Sequence, residues 1–176
     1  MKSNRLKHYD YSQEHVHYFV TMRFRRQMDS LVIGPLFEIL FGLFDETSFE
    51  CKALVIMPDH VHLLTVKNDD SEQTLGDLVC ILKSKSLHVL KKRGFIASSF
   101  WQKGYYEHVI RNERDYIEKA KYLIGNPIQA GLACTDEDYR YLYISLDKDG
   151  ATQGRPLRGE ETQGRSLRGE EAVSGK

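Results

Sequence analysis

Cysteine is scarce in this chain, and the three that occur, Cys51, Cys80 and Cys134, are scattered and odd in number. That argues against a disulfide-stapled scaffold or a cysteine zinc cluster and predicts reduced thiols in the cytoplasm. A long apolar run is missing as well. The longest, around Leu36 to Phe44, contains Glu38 and is far too short to span a bilayer. The amino terminus, MKSNRLKHYDYS, has no apolar stretch of the kind a secretory signal needs. Net charge is absent too: 25 basic and 25 acidic side chains cancel. Bulk charge therefore does not mark a nucleic-acid binder, and any such role must rest on local basic patches.

What remains is the composition of a globular protein, with 41% hydrophobic residues in 176, enough to bury one core. The end of the chain differs from the rest. TQGRPLRGEE (152–161) is followed by TQGRSLRGEE (162–171), identical at nine of ten positions. Two such copies, nearly free of apolar residues, build neither a solenoid nor a core. We expect one domain over 1–149 and a disordered tail over 150–176.

Within 1–149 the pattern alternates between strand and helix. HVHYFVTMRFR (15–25) reads as a strand. Met28 to Asp45 is apolar and helical, with Gly34-Pro35 at its beginning or a kink. Phe49 to Met57 alternates, placing Phe49, Cys51, Ala53, Val55 and Met57 on one side. His60 to Val66 is a further strand. Asp70-Ser71 can cap a helix whose stripe is Leu75, Leu78, Val79, Leu82, Val89 and Leu90. Tyr105 to Arg111 is another strand. Asn112 can cap a helix from Glu113 to about Gly125 that stops before Pro127. The order predicts an α+β fold, the ferredoxin-like split β-α-β-β-α-β arrangement with an antiparallel sheet and an added carboxy-terminal helix.

Chemistry concentrates in two places. In MPDHVHLL (57–64), side chains alternate along a strand, so His60 and His62 point the same way, roughly 6–7 Å apart. They are either half-buried strand histidines or half of a metal site. His15-Val16-His17 has the same spacing and carries no other sign of a site, so the spacing alone does not decide. On the last helix, Tyr116, Ile117, Ala120, Leu123 and Ile124 fall within about 60° of one line. Tyr122 lies about 160° from that line, beside Glu118 and Asn126. The helix core does not need a tyrosine there, although for a single tyrosine a surface or interface position is the ordinary reading.

MPDHVHLL resembles the His-hydrophobic-His signature of HUH endonucleases. WQKGYYEHVIRNERDY (101–116) followed by KYLIGNPIQAGL (121–132) resembles the single-tyrosine HUH transposases, and within them the REP-associated tyrosine transposases. The likeness runs from about Tyr18 to Tyr143. It implies that His60 and His62 bind a divalent metal, Mg²⁺ or Mn²⁺, and that Tyr122 is the catalytic tyrosine. It places Asn126 where the family has a third polar ligand, often glutamine. Tyr116 is the rival nucleophile. Asp59 replaces a common asparagine and adds negative charge near the ion. The implied reaction is cleavage and transfer of single-stranded, hairpin-forming DNA through a 5′-phosphotyrosine, by a monomer or a homodimer.

DNA would be gripped by local clusters: Arg23, Arg25 and Arg26 after the first strand; Lys83, Lys85, Lys91, Lys92 and Arg93 on the second helix; Lys103, Arg111, Arg114, Lys119 and Lys121 around the last strand and helix. Trp101, Tyr105 and Tyr106 are candidates for base stacking or for the core. An inactive hairpin-binding relative is the alternative reading. A ferredoxin-like RNA- or ligand-binding module with incidental histidines is the third.

Overall fold

The computed structural model describes residues 16–67 and 71–145. The tail repeat, His15 and Asp70 lie outside the described residues. The elements are β1 (His17–Arg23), α1 (Ser30–Gly42), a short 3-10 turn (Leu43–Glu46), β2 (Phe49–Ile56), β3 (His60–Lys67), α2 (Leu75–Lys92), β4 (Tyr106–Val109), α3 (Glu113–Gln129) and β5 (Leu142–Ile144). The strands form one sheet in the order β4-β1-β3-β2-β5, every neighbouring pair antiparallel. The first four strands have the ferredoxin-like split arrangement, as expected. β5, which the sequence reading did not include, extends the β2 edge.

The sheet is covered on both sides. Tyr18, Val20, Leu54, Ile56, Val61 and Leu63 face α1 and α2 in the main core. Phe19, Ala53, Val55, Met57 and Leu64 face the other way, packing with Leu123 of α3 and Ile110. Two-sided coverage explains why β3 reads as a nearly continuous apolar run.

Four local expectations change. β2 does not keep Phe49 to Met57 on one face: its register shifts between Cys51 and Ala53, a bulge at Lys52. One extra residue reverses the alternation, so Phe49 and Cys51 join one core and Ala53, Val55 and Met57 the other. α1 begins earlier than Gly34-Pro35, because Asp29 accepts from the Leu31 N–H at 2.9 Å as N-cap. α2 is capped by Thr74, not by Ser71: Thr74 and Asp77 form a reciprocal capping box. α3 runs through Pro127 to Gln129. Its stop is Gly131, at φ 68°, where the Leu132 N–H bonds the Pro127 carbonyl and the Gly131 N–H that of Ile128, a Schellman closure.

The three cysteines are unpaired; Cys51 is buried, Cys80 and Cys134 are exposed. No helix among the described residues is long and apolar enough to cross a membrane.

Candidate active site

β3 is the central strand, and His60 and His62 occupy its first turn-proximal positions on the face covered by α3. Their ring centroids are 4.5 Å apart. His62 is 4% exposed. Its Nδ1 lies 2.9 Å from Thr21 Oγ1, the residue directly opposite on β1. Its Nε2 is buried with no hydrogen-bond partner. An orphaned buried polar atom costs about 1–3 kcal/mol, so it marks a position built to receive something. Burial pushes the imidazole pKa down to about 3, assisted by the nearby His60 and Arg23 and opposed by Asp59. His62 is therefore neutral, the form that ligates metals.

His60 is half-buried, and its Nδ1 lies 2.6 Å from Asp59 Oδ1. A carboxylate on one ring nitrogen fixes the ring's orientation, the arrangement common behind metal-bound histidines. Thr21 plays the equivalent part for His62. Among the described residues no group of three His, Cys, Asp or Glu side chains is arranged to hold a metal ion. Asn126, whose side-chain amide is outside that set, is half-buried on α3 one turn beyond Tyr122.

Tyr122 comes from the helix that crosses this face. Its ring centroid is 5.2 Å from that of His62 and 5.9 Å from that of Phe19, and it is 47% exposed. Phe19, almost fully buried, also lies 5.1 Å from His62 and carries the Lys119 ammonium 5.6 Å above its ring. The Tyr122 ring thus sits beside the His62 imidazole and is half open to solvent. Tyr116 instead packs inward and meets His17 edge-on at 5.3 Å.

Two devices hold α3 here. Asn112 caps it by accepting from the Asp115 N–H at 3.0 Å. The Asp115 carboxylate then takes His108 Nε2 of β4 at 2.8 and 2.9 Å and the Arg111 N–H at 3.2 Å. Those bonds outweigh the desolvation that would raise it and keep the Asp115 pKa below the usual carboxylate range. The inward line of α3 runs through Tyr116, Ala120, Leu123 and Pro127, whereas Ile117 is 42% exposed. The helix is rotated by about 30° from the expected stripe, toward Tyr122, whose ring meets Phe19 and His62.

The basic residues divide. Arg23 pairs in register with His60 and is exposed beside it. Arg25 donates from Nε to the Trp101 carbonyl at 3.0 Å. Lys103, Arg111 and Lys121 are exposed around β4 and α3. α2 lies on the opposite face of the sheet, and with it Lys85, Lys91 and Lys92; Lys85 is ion-paired with Glu46. Lys83 has a structural part: its half-buried ammonium bonds the carbonyls of Gln102 and Gly104 and rests on Trp101. Trp101 is core, its Nε1 donating to the buried Ser86 hydroxyl at 3.1 Å, while Tyr106 is 55% exposed. Sequence reasoning did not find Thr21, Phe19 or the His108–Asp115 pair, because each acts through cross-strand or strand-to-helix register.

A family model of IS200-like transposases matches residues 32–124. The chain belongs to the IS200-like transposase family. The matched span includes His60, His62 and Tyr122 and ends before Asn126. A Haemophilus influenzae protein named for the REP-associated tyrosine transposases is 28% identical over 108 residues, 56% of this chain and 61% of the relative. The Escherichia coli REP-associated tyrosine transposase is 26% identical over 102 residues, 56% of each. The chain thus matches less than two thirds of the length of either. The solved structure of a REP-associated tyrosine transposase bound to a REP hairpin superposes with a TM-score of 0.65 at 20% identity, covering 96% of this chain and 99% of that one. That likeness is one of fold.

Proposed function

We propose that this chain is a transposase that cuts and rejoins single-stranded, hairpin-forming DNA, with Tyr122 as nucleophile. The observation that carries the reading is the bare Nε2 of His62 buried beside the Tyr122 ring. Family membership and the hairpin bound by the structural neighbour support the substrate class.

The phenol oxygen of Tyr122 attacks a phosphorus of the DNA backbone. A tyrosyl O–P bond forms as the P–O3′ bond breaks. The phenol gives up its proton and the leaving 3′ oxygen gains one, so the products are a 5′-phosphotyrosine and a free 3′-hydroxyl. No water is consumed, and a 3′-hydroxyl from another strand reverses the step and reseals the backbone without ATP. Phe19 and Leu123 fix the nucleophile's helix against the strand that carries the histidines. Tyr122 is the better nucleophile on exposure, since Tyr116 faces the core.

His60, His62 and Asn126 are the residues that would hold a divalent cation. Two imidazoles with their Nδ1 atoms engaged, that of His62 held neutral by burial, fit that role. When bound, Mg²⁺ or Mn²⁺ would polarise the scissile phosphate and offset its charge. Imidazole ligands favour Mn²⁺ over Mg²⁺ in vitro.

The decisive test incubates the protein with labelled single-stranded hairpin DNA and Mn²⁺ and looks for a covalent adduct on a denaturing gel. The adduct is expected with the native protein and with Tyr116→Phe and is lost with Tyr122→Phe. An adduct that survives Tyr122→Phe overturns the assignment.

A further inference from the structure

The flank of α3 that carries Tyr122 also carries a cation. Taken at 100° per residue, Asp115, Lys119, Tyr122 and Asn126 fall within about 60° of one another, one below the next along the helix. Asp115 is taken by His108, and Asn126 stands one turn beyond the tyrosine. Lys119 lies one turn before it. Side chains of a helix lean back over the preceding turn, so the Tyr122 ring leans over the turn that holds Lys119.

The basic side chains around α3 are not alike. Arg111, Arg114 and Lys121 are exposed, and Arg114 is paired with Glu118. Lys119 is half-buried, with its ammonium 5.6 Å from the centre of the Phe19 ring. The same buried ring meets His62 at 5.1 Å and Tyr122 at 5.9 Å, so one phenylalanine is shared by the cation, the imidazole and the phenol. Against the desolvation that opposes it, the ammonium joins His108 and the Arg111 N–H in keeping the Asp115 carboxyl below its usual range. Asp115 nevertheless makes its close pair with His108, and Lys119 has no ion pair or hydrogen bond among the described residues. A cation drawn partly out of water onto an aromatic face, with no anion in contact, is uncommitted charge beside the nucleophile.

We propose that Lys119 is a catalytic residue of the strand-transfer reaction, its ammonium pairing with a non-bridging oxygen of the phosphate that Tyr122 attacks. The proposal rests on the Tyr122 reading above. The flexible four-carbon stem lets the ammonium turn from the Phe19 ring to an anion without moving the helix. As the tyrosyl O–P bond forms and the P–O3′ bond breaks, negative charge builds on the non-bridging oxygens, and the ammonium offsets it. Lys119 keeps its protons throughout: it takes none from the phenol and gives none to the leaving 3′ oxygen. In the reverse step the same contact holds the 5′-phosphotyrosine for an incoming 3′-hydroxyl.

Lys119→Met removes the charge and keeps most of the stem. In single-turnover reactions with saturating hairpin DNA and Mn²⁺, it should slow adduct formation about 100-fold, and Lys119→Arg should recover most of the rate. DNA affinity, compared in Tyr122→Phe protein with and without Lys119→Met, should change far less. The discriminating substrate carries a methylphosphonate, which is uncharged, at the scissile position. Native protein and Lys119→Met should cleave it at rates within about twofold of each other. An equal loss on both substrates makes Lys119 a support of the fold, and a loss cured by more DNA makes it a grip on the strand; either overturns the proposal. So does failure of Lys119→Arg to recover the rate, which decides the matter even where the methylphosphonate is inert to both proteins. The two readings fail separately. An adduct on Tyr122 that forms at the native rate in Lys119→Met removes the role of Lys119 alone, whereas native protein that forms no adduct on Tyr122 removes both.

Discussion

His62 has one ring nitrogen held by Thr21 and the other bare and buried. For Nε2 to act as a ligand, Nδ1 must carry the proton and donate it to the Thr21 oxygen, so the hydroxyl selects the tautomer. Thr21→Val keeps the shape and removes that acceptor. Mn²⁺ affinity, read by electron paramagnetic resonance or calorimetry, should fall about 10- to 100-fold while the fold is retained. The sequence identifies the histidine pair but not this partner, because the Thr21–His62 pairing is set by the β1–β3 register across 41 residues of chain. Motif spacing carries no such information. The same holds for Asp59, whose place before His60 predicts a charge near the site but not the 2.6 Å bond to the ring.

At the scale of elements, α3 is the adjustable piece of the site, since among its residues only Leu123 and Pro127 are fully buried against that face of the sheet. Leu123→Ala should cost about 2–5 kcal/mol in urea unfolding and slow adduct formation by loosening Tyr122 against the sheet. The second support is the His108–Asp115 pair. Its pH dependence has a definite sign. Asp115 titrates lower in the folded chain than the unfolded value of about 3.9, so its contribution is full above that pH and is lost as pH falls through the folded value. Asp115→Asn should lower stability at neutral pH and flatten this part of the acid-side decline, seen in urea midpoints measured from neutral pH downward. Periodicity located α2, α3 and the cap of α3 at Asn112. It missed the rotation of α3, because Ile117 looks like core on a helical wheel and is left exposed by a sheet face that α3 crosses with a narrow edge. It missed the β2 bulge for a related reason: alternation is visible in a sequence and an inserted residue is not.

For the whole molecule, a formal charge of zero hides an uneven distribution. Arg23, Arg25 and Arg26 gather where β1 ends, Arg23 in register with His60, while Lys83 and Lys85 are engaged within the fold and Arg114 pairs with Glu118. DNA affinity should therefore fall with salt along a line set by few phosphate contacts. Arg23→Ala should reduce the slope of log K against log salt by about 0.7 for single-stranded DNA, and Arg114→Ala should leave it unchanged. Equal slopes for the two variants would refute this placement of the contacts. The strand order was legible from the alternation of elements. β5 was not, since its three residues, Leu142–Ile144, are too short to show a period.

That short strand has a consequence for how copies of the chain can meet. The sheet ends on one side in four residues and on the other in three. Among the described residues neither border strand offers a ladder long enough to template a neighbour's backbone, so stacking into fibrils through these rims has only a few hydrogen bonds to gain.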